Sequence, residues 1–345
     1  MNNLHKYLPT QVNSGPWLTR YTHAELQQRI TGTNLVLPIC SLGTPADRLS
    51  ELSPLVLPPL YHEALDDDLK AALLNRIRQC FPFYEGTRER NEVRCHFEIV
   101  ELPPEAHSPP PAQPRILAFS VDTAVEEHGP HLPLMTDTIQ SYAVLERLAD
   151  EFDSFALGPP VEYGHLTWGL PFGLSIDITP PLLTRYVTRF TNAILEWMSP
   201  RALYVVDVHG SIVHRNAIQE GLRQSRSECW AFRWLHDPLI EFAGERGDQH
   251  AGGIETALVE QINPQLVDSR WWPQRAEELS VGEMPLDLAV ELSSDLPAFI
   301  KRVESGSFNG IVGKVRNYFE LDAGQLMQRM LNVAREDVRQ LMKAK

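Results

Sequence analysis

Residues 116–137 read ILAFSVDTAVEEHGPHLPLMTD. The opening run, Ile116 to Val121, is apolar and of strand length, and it gives way to a stretch dense in carboxylates and imidazoles. Such a run predicts a buried strand. A second one, LYVVDV from Leu203 to Val208, has stronger β-branched content. Between the two, Leu182, Leu183, Tyr186, Val187, Phe190, Ile194 and Trp197 fall on one helical stripe, with Thr179 ahead of Pro180 and Pro181 as a start signal. A further helix is predicted over about 138–151. Strand, helix, strand and helix in alternation predict an α/β fold, with a mainly parallel sheet covered on both faces.

Downstream, Leu326, Met330, Val333, Val338 and Leu341 line one face of a closing helix whose role is packing. Upstream, residues 103–114, PPEAHSPPPAQP, cluster prolines without hydrophobic periodicity, which predicts an extended connection. A Pro-rich linker at 106–114 would separate a front segment, 1–105, from a main domain, 115–345. In the front segment Thr22 and Glu25 form a capping-box pattern, Leu35 to Cys40 has strand character and Asp68 to Cys80 helix character. A capped helix, a strand and a Ser41-Leu42-Gly43 turn repeat the layout ahead of Glu126. The segment therefore reads as a degenerate half-repeat or a cap.

The composition, 43% hydrophobic and 22% charged, is that of a globular protein. No apolar run approaches the roughly 20 residues that span a bilayer. A net charge of −14 argues against nucleic acid or an anionic membrane as partner, since both call for a basic face. The N-terminus, MNNLHKYLPTQVNSGPW, has no basic start, apolar block or small-residue cleavage site, so a cytoplasmic location is expected. Cys40, Cys80, Cys95 and Cys229 contain no CxxC pair and read as reduced thiols.

Three stretches carry chemistry. In the first, Glu126 and His128 stand two apart in an extended chain, where one carboxylate and one imidazole on the same side can grip one ion or two adjacent ones. Gly129, Pro130 and Pro133 then turn the backbone, and Asp137 at the start of the next helix returns to the same point with two oxygens suited to bridging a metal pair. The second is Asp207-Val208-His209-Gly210-Ser211, at the C-terminal end of the second strand, where α/β sheets place their sites. In the third, Asp248 to Thr256, His250 lies in a small-residue turn and suits proton transfer, while Glu255 near a helix start completes a metal set. Histidines and carboxylates without thiolates favour Zn²⁺, with Mn²⁺ or Fe²⁺ as alternatives.

Together these stretches resemble the creatininase (creatinine amidohydrolase) family, whose hallmark is a Glu-x-His-Gly-x-His-Leu-Pro segment ending in Asp. Residues 126–137, EEHGPHLPLMTD, fit it, and the family's second and third motifs correspond to Asp207 to Gly210 and His250 to Thr256. The resemblance runs from about residue 115 to the C-terminus and includes the Gly310-Ile311-Val312-Gly313 turn. It implies a three-layer αβα fold, two divalent metal ions per chain held by Glu126, His128, Asp137, His209 and Glu255, proton transfer by His250, and a homo-oligomer. It also implies hydrolysis of an amide, often a small cyclic one, by metal-activated water.

The departures bear on substrate. Creatininase proper has an acidic residue where Ser211 stands, so creatinine itself is not expected. Tyr163-Gly164 continues as HLTWGLPFG rather than the usual Ser-x-x-His element, which makes His165 and Trp168, with Ser211, candidate substrate-binding residues. Gly253 replaces a frequent glutamate. A peptide or a formamide in a biosynthetic pathway is the alternative substrate, and a non-catalytic scaffold the alternative of another class. A serine hydrolase is disfavoured because His209-Gly210-Ser211-Ile212 lacks the second glycine of a nucleophile elbow.

Overall fold

The computed structural model describes residues 18–343 apart from 23–24, 27–28, 30–33, 45–47, 50, 54, 81–95, 105–112, 167 and 247. The N-terminal stretch, Cys95 and nearly all of the expected Pro-rich linker lie outside the described residues.

The main sheet is wholly parallel. Strand β5 (Ile116–Ser120) sits between β6 (Phe155–Leu157) and β7 (Ala202–Asp207), and β7 pairs with β8 (Trp230–Trp234), giving the order β6-β5-β7-β8. Every residue of β5 and β7 is buried, which is why both runs carry no hydrophobic alternation. The register Ile116↔Ala202 through Ser120↔Val206 leaves Asp122 and Val208 side by side beyond the strand ends, joined by the Val208 N–H donating to Asp122 Oδ1 at 2.9 Å.

The chain leaves β5 through α2 (Thr136–Glu151) to β6, then crosses back through α3 (Pro180–Met198) to β7 and on through α4 (Ile212–Gln224) to β8. Right-handed crossovers running in opposite directions put α2 on one face and α3 and α4 on the other. On the α2 face lie α6 (Gly253–Ile262) and the closing helix α10 (Ala323–Lys343), so the architecture is the three-layer αβα expected. Because the connections after β5 and β7 go to opposite faces, a crevice opens between their C-terminal ends.

The front segment builds a second parallel sheet. Strand β1 (Asn34–Cys40) pairs with β4 (His96–Glu101) on one side and with two short pieces, β2 (Leu55–Val56) and β3 (Leu60–Tyr61), on the other. Pro58 and Pro59, which have no N–H to give a ladder, separate the two pieces. Helix α1 (Asp67–Cys80) follows and buries Leu69, Leu73, Ile77 and Cys80.

The proline-rich boundary separates the two sheets but not their cores: one hydrophobic cluster takes in Leu37 and Ile39 of β1, Leu73 of α1, Val187 of α3 and Phe119 of β5. Phe190 joins the layers, its ring 5.2 Å from that of Phe119 and 5.8 Å from that of Tyr61. Truncating such a buried ring costs about 3–5 kcal/mol. Cys40, Cys80 and Cys229 are free thiols. No helix among the described residues is long and apolar enough to cross a membrane.

Candidate metal centre

The crevice between β5 and β7 holds the polar stretches singled out in the sequence. The segment after β5 delivers Glu126 and His128, the first turn of α2 delivers Asp137, the turn after β7 delivers His209, and the turn into α6 with its first turn delivers His250 and Glu255. His250 is fixed by backbone pairing with Val312, each N–H donating to the other's carbonyl at 2.8 and 2.9 Å. Gly310, just before it, has φ +92° and no room for a side chain: an added Cβ would fall 1.9 Å from Glu127 Oε1.

These side chains form two groups. Glu126, Asp137 and His209 offer ligand atoms within 4.8 Å of one another, and so do His128, His250 and Glu255. Asp137 joins the groups, with Oδ2 3.5 Å from His209 Nδ1 and Oδ1 3.4 Å from His128 Nε2. His209 Nδ1 also stands 2.9 Å from Glu126 Oε2, and His128 Nε2 3.9 Å from Glu255 Oε2. Glu126 and His128, two apart in sequence, thus fall into adjacent groups rather than onto one ion position.

The tautomers follow from the backbone. A carbonyl can only accept, so His128 Nδ1–H donates to Glu126 O at 3.1 Å, His209 Nε2–H to His165 O at 3.0 Å and His250 Nε2–H to Glu127 O at 2.7 Å. Each ring is left with one free nitrogen, aimed at the carboxylates. That is how a protein presents imidazole to a metal. His128 Nε2 is fully buried with no hydrogen-bond partner, an orphaned polar atom that a cation would satisfy.

Electrostatics agree with that fit. Burial disfavours a charged imidazole, yet the Asp137 carboxylate beside His128 overrides it and lifts its pKa to about 10. Glu126 does the same for His209, which is raised well above the ordinary histidine value. Burial would raise Asp137, but the two imidazoles hold it well below the ordinary carboxylate value. These carboxylates favour positive charge at the ring nitrogens facing them, and a divalent cation there would supply that charge in place of a proton. Burial pushes Glu255 up to about 8, with His128 opposing. Burial and the neighbouring His128 bring His250 down to about 4.

The centre floors a cavity of about 470 Å³, lined among others by His165, Trp168, Ser211, Trp234, His236 and Gln249. Ser211 has a second duty as the N-cap of α4, its hydroxyl accepting from His214 N. Ile212 and Val213 form an aliphatic rim, 66% and 44% exposed. His131, also in the long motif, stands apart: its Nε2 donates to Thr256 Oγ1 at 2.8 Å.

Sequence reasoning missed three residues here. Thr123 places its hydroxyl between Glu126 Oε2 and Asp137 Oδ2, 2.8 Å from the latter. Trp234 and His236 reach the cavity from the end of β8, a strand whose half-buried WAFRW gives little periodic signal. The position of Thr123, just past a buried strand and three residues before Glu126, was the available clue.

A cluster of three imidazoles and three carboxylates, buried at the switch point of a parallel sheet, defines a candidate binuclear metal centre of the kind hydrolases use. The creatininase family model, described as creatinine amidohydrolase, matches residues 119–331, and the chain belongs to that family. Among curated proteins, the mycofactocin precursor peptide peptidase of Mycobacterium ulcerans (strain Agy99) is 31% identical over 152 residues, 42% of this chain and 57% of that protein. Its counterpart in Mycolicibacterium smegmatis (strain ATCC 700084 / mc(2)155) is 28% identical over 146 residues, 41% and 56% of the two chains. The chain therefore spans little more than half the length of these relatives. Among solved structures, a putative creatinine amidohydrolase from Bacteroides fragilis NCTC 9343 superposes with a TM-score of 0.51 at 16% identity, covering 68% of this chain and 92% of the other. A creatinine amidohydrolase (creatininase) gives 0.50 at 17%, covering 67% and 92%. At such identities the likeness establishes the fold.

Proposed function

We infer that the protein is a metal-dependent hydrolase of a C–N amide bond, and that the bond belongs to a peptide. The observation that carries the first half is the set of three histidines, each with one ring nitrogen tied to a backbone carbonyl and the other directed at carboxylates that Asp137 links into two groups. One ion position would draw on Glu126, Asp137 and His209 and the other on His128 and Glu255, with Asp137 within reach of both and His250, the third member of the second group, kept for proton transfer. Divalent cations held there would supply Lewis acidity toward a carbonyl oxygen and a water acidified to near neutral pH.

The remaining duties fall to the chain. His250, a member of the second group, has Nδ1 3.8 Å from Glu126 Oε1 and its other nitrogen locked to Glu127 O. It is placed to take a proton from the attacking water and hand it to the departing nitrogen, as general acid–base catalysis requires. Thr123 holds Glu126 and Asp137 in a fixed relation. His165 and Trp168 on the cavity wall orient the substrate, and Ser211, in place of an acidic residue, leaves its side of the cavity without a charge.

The peptide assignment rests on the exposed Ile212 and Val213 rim, which suits a chain running out of the cavity, and on the similarity to proteins named as peptide peptidases. A compact cyclic amide is the second reading, favoured by a cavity volume within the small-molecule range. The test is a panel of short peptides and of lactams and cyclic imides, offered to protein reconstituted with Zn²⁺, Mn²⁺ or Fe²⁺ and to chelated protein. Metal-dependent cleavage of a peptide is the expected result. Turnover confined to cyclic amides would favour the second reading, and equal rates with and without metal would overturn the hydrolase assignment.

A further inference from the structure

The front segment lies outside the stretch that the family model matches, yet it touches the metal centre's supports in two places. The first is the strap Leu18 to Thr22. Met135 N donates to Thr19 O at 2.9 Å, Leu134 N to Tyr21 O at 3.2 Å, and Thr22 bridges to Pro133, so the strap is bonded to the three residues that lead into Thr136 and Asp137.

The second contact is more specific. Arg76 of α1 donates from Nε to Asp177 O at 2.8 Å and pairs through Nη2 with Asp177 Oδ2. Asp177 is almost wholly buried, and its Oδ1 accepts from Leu166 N at 3.0 Å and from His165 Nδ1 at 2.9 Å. His165 in turn offers its carbonyl to His209 Nε2 at 3.0 Å, the bond that sets the tautomer and direction of that imidazole. A chain of contacts therefore runs from a front-segment guanidinium to a candidate metal ligand.

The loop that carries this chain has little regular structure to hold it. Between β6 and α3 the described residues contain only an isolated bridge at Val161 and the short turn Leu170–Phe172. Its other ties include Tyr163 Oη donating to Pro58 O at 2.6 Å, again from the front segment, and His165 N donating to His214 Nδ1 at 3.1 Å. Gly164 packs so closely that an added Cβ would stand 2.4 Å from His214 Cε1. Backbone bonds hold the carbonyls of Glu162 and Gly164, from Ala124 N at 3.1 Å and Ile178 N at 2.8 Å, and the side-chain pins on His165 add to them in setting where its own carbonyl lies.

We propose that Arg76 is a positioning residue which, through Asp177 and His165, orients His209, so that the front segment is a working part of the metal centre. The proposal rests on the metal-site reading above, and its test separates the two. In the intact, metal-free protein, the His209 Nε2–H is followed by ¹⁵N NMR of the imidazoles. In the unaltered protein this proton is expected to exchange slowly with solvent, and in Arg76→Gln to exchange at least about tenfold faster, with Arg76→Lys restoring part of the protection. Co²⁺ titration then reads the ligand itself: one of two binding steps weakens about 10- to 100-fold in Arg76→Gln with a changed visible spectrum. That step is the one lost in His209→Ala. Asp177→Asn, which keeps the volume, carries the same expectation should Arg76→Gln not fold.

Folded variants with unchanged His209 exchange would overturn the proposal, as would equal weakening of both Co²⁺ steps in parallel with a fall in unfolding midpoint, the mark of a merely structural role. An unaltered protein that takes up no Co²⁺ would count against the hydrolase reading, and the metal-free NMR would still decide the role of Arg76.

Discussion

Residues 35–40 of β1 and all of β5 are buried, both strands are interior to a parallel sheet, and both are followed within four residues by a buried threonine, yet their ends differ in kind. After β1 the polar groups satisfy one another: Thr44 N and Oγ1 both donate to Ser41 O, at 3.0 and 2.7 Å, and Leu42 N donates to Glu63 Oε2 at 3.0 Å. After β5 the Thr123 hydroxyl serves two carboxylates, and those carboxylates face the imidazoles of His209 and His128, the latter with Nε2 buried and without a hydrogen-bond partner. The end of a parallel strand offers a place for chemistry. Whether chemistry occurs depends on polar groups that the fold leaves unpaired.

Matched threonine substitutions sharpen this comparison. The larger effect is expected for Thr123→Val, which keeps the shape and removes the hydroxyl between Glu126 and Asp137. Hydrolysis and metal affinity should each fall by about 10- to 100-fold, the usual consequence of losing a group that holds metal ligands, as read by steady-state kinetics and competition titration. An unchanged rate would show that Thr123 is only a packing residue. Thr44→Val should cost about 1 kcal/mol of stability in urea unfolding, for the lost bond to Ser41 O, and leave metal content and rate untouched. If it weakened metal binding as much as Thr123→Val, the contrast between the two strand ends would break.

Much of the fold was legible because the deciding segments obey simple rules. β5 and β7 are unbroken apolar runs, α3 shows an apolar stripe behind Thr179 and two prolines, and the capping-box pattern of Thr22 and Glu25 appears as two reciprocal bonds, at 3.0 and 3.3 Å. β8 was not legible, since its aromatic and charged residues are half-buried throughout. The short helices Ala276–Val281 and Leu286–Leu292 escaped as well, each too brief for a period to establish itself.

The candidate site divides in the same way. Glu126, His128 and Asp137 share one motif, so their proximity could be read from spacing and turn residues. The approach of His128 to His250, with ring centroids 4.3 Å apart, joins residues far apart in the chain and depends on the pairing of His250 with Val312. The path from Arg76 to His209 was invisible for a stronger reason. It crosses from the front segment into the main domain through side-chain contacts that no periodicity encodes.

Asp137 links the two ligand groups, and the most direct measurement of that link is the number of transition-metal ions per chain in the purified, unchelated protein, beside Asp137→Ala. Two ions per chain in the protein, and loss of both in a folded Asp137→Ala, is the predicted result. No bound metal after incubation with Zn²⁺, Mn²⁺ or Fe²⁺, or two ions retained without Asp137, would contradict it.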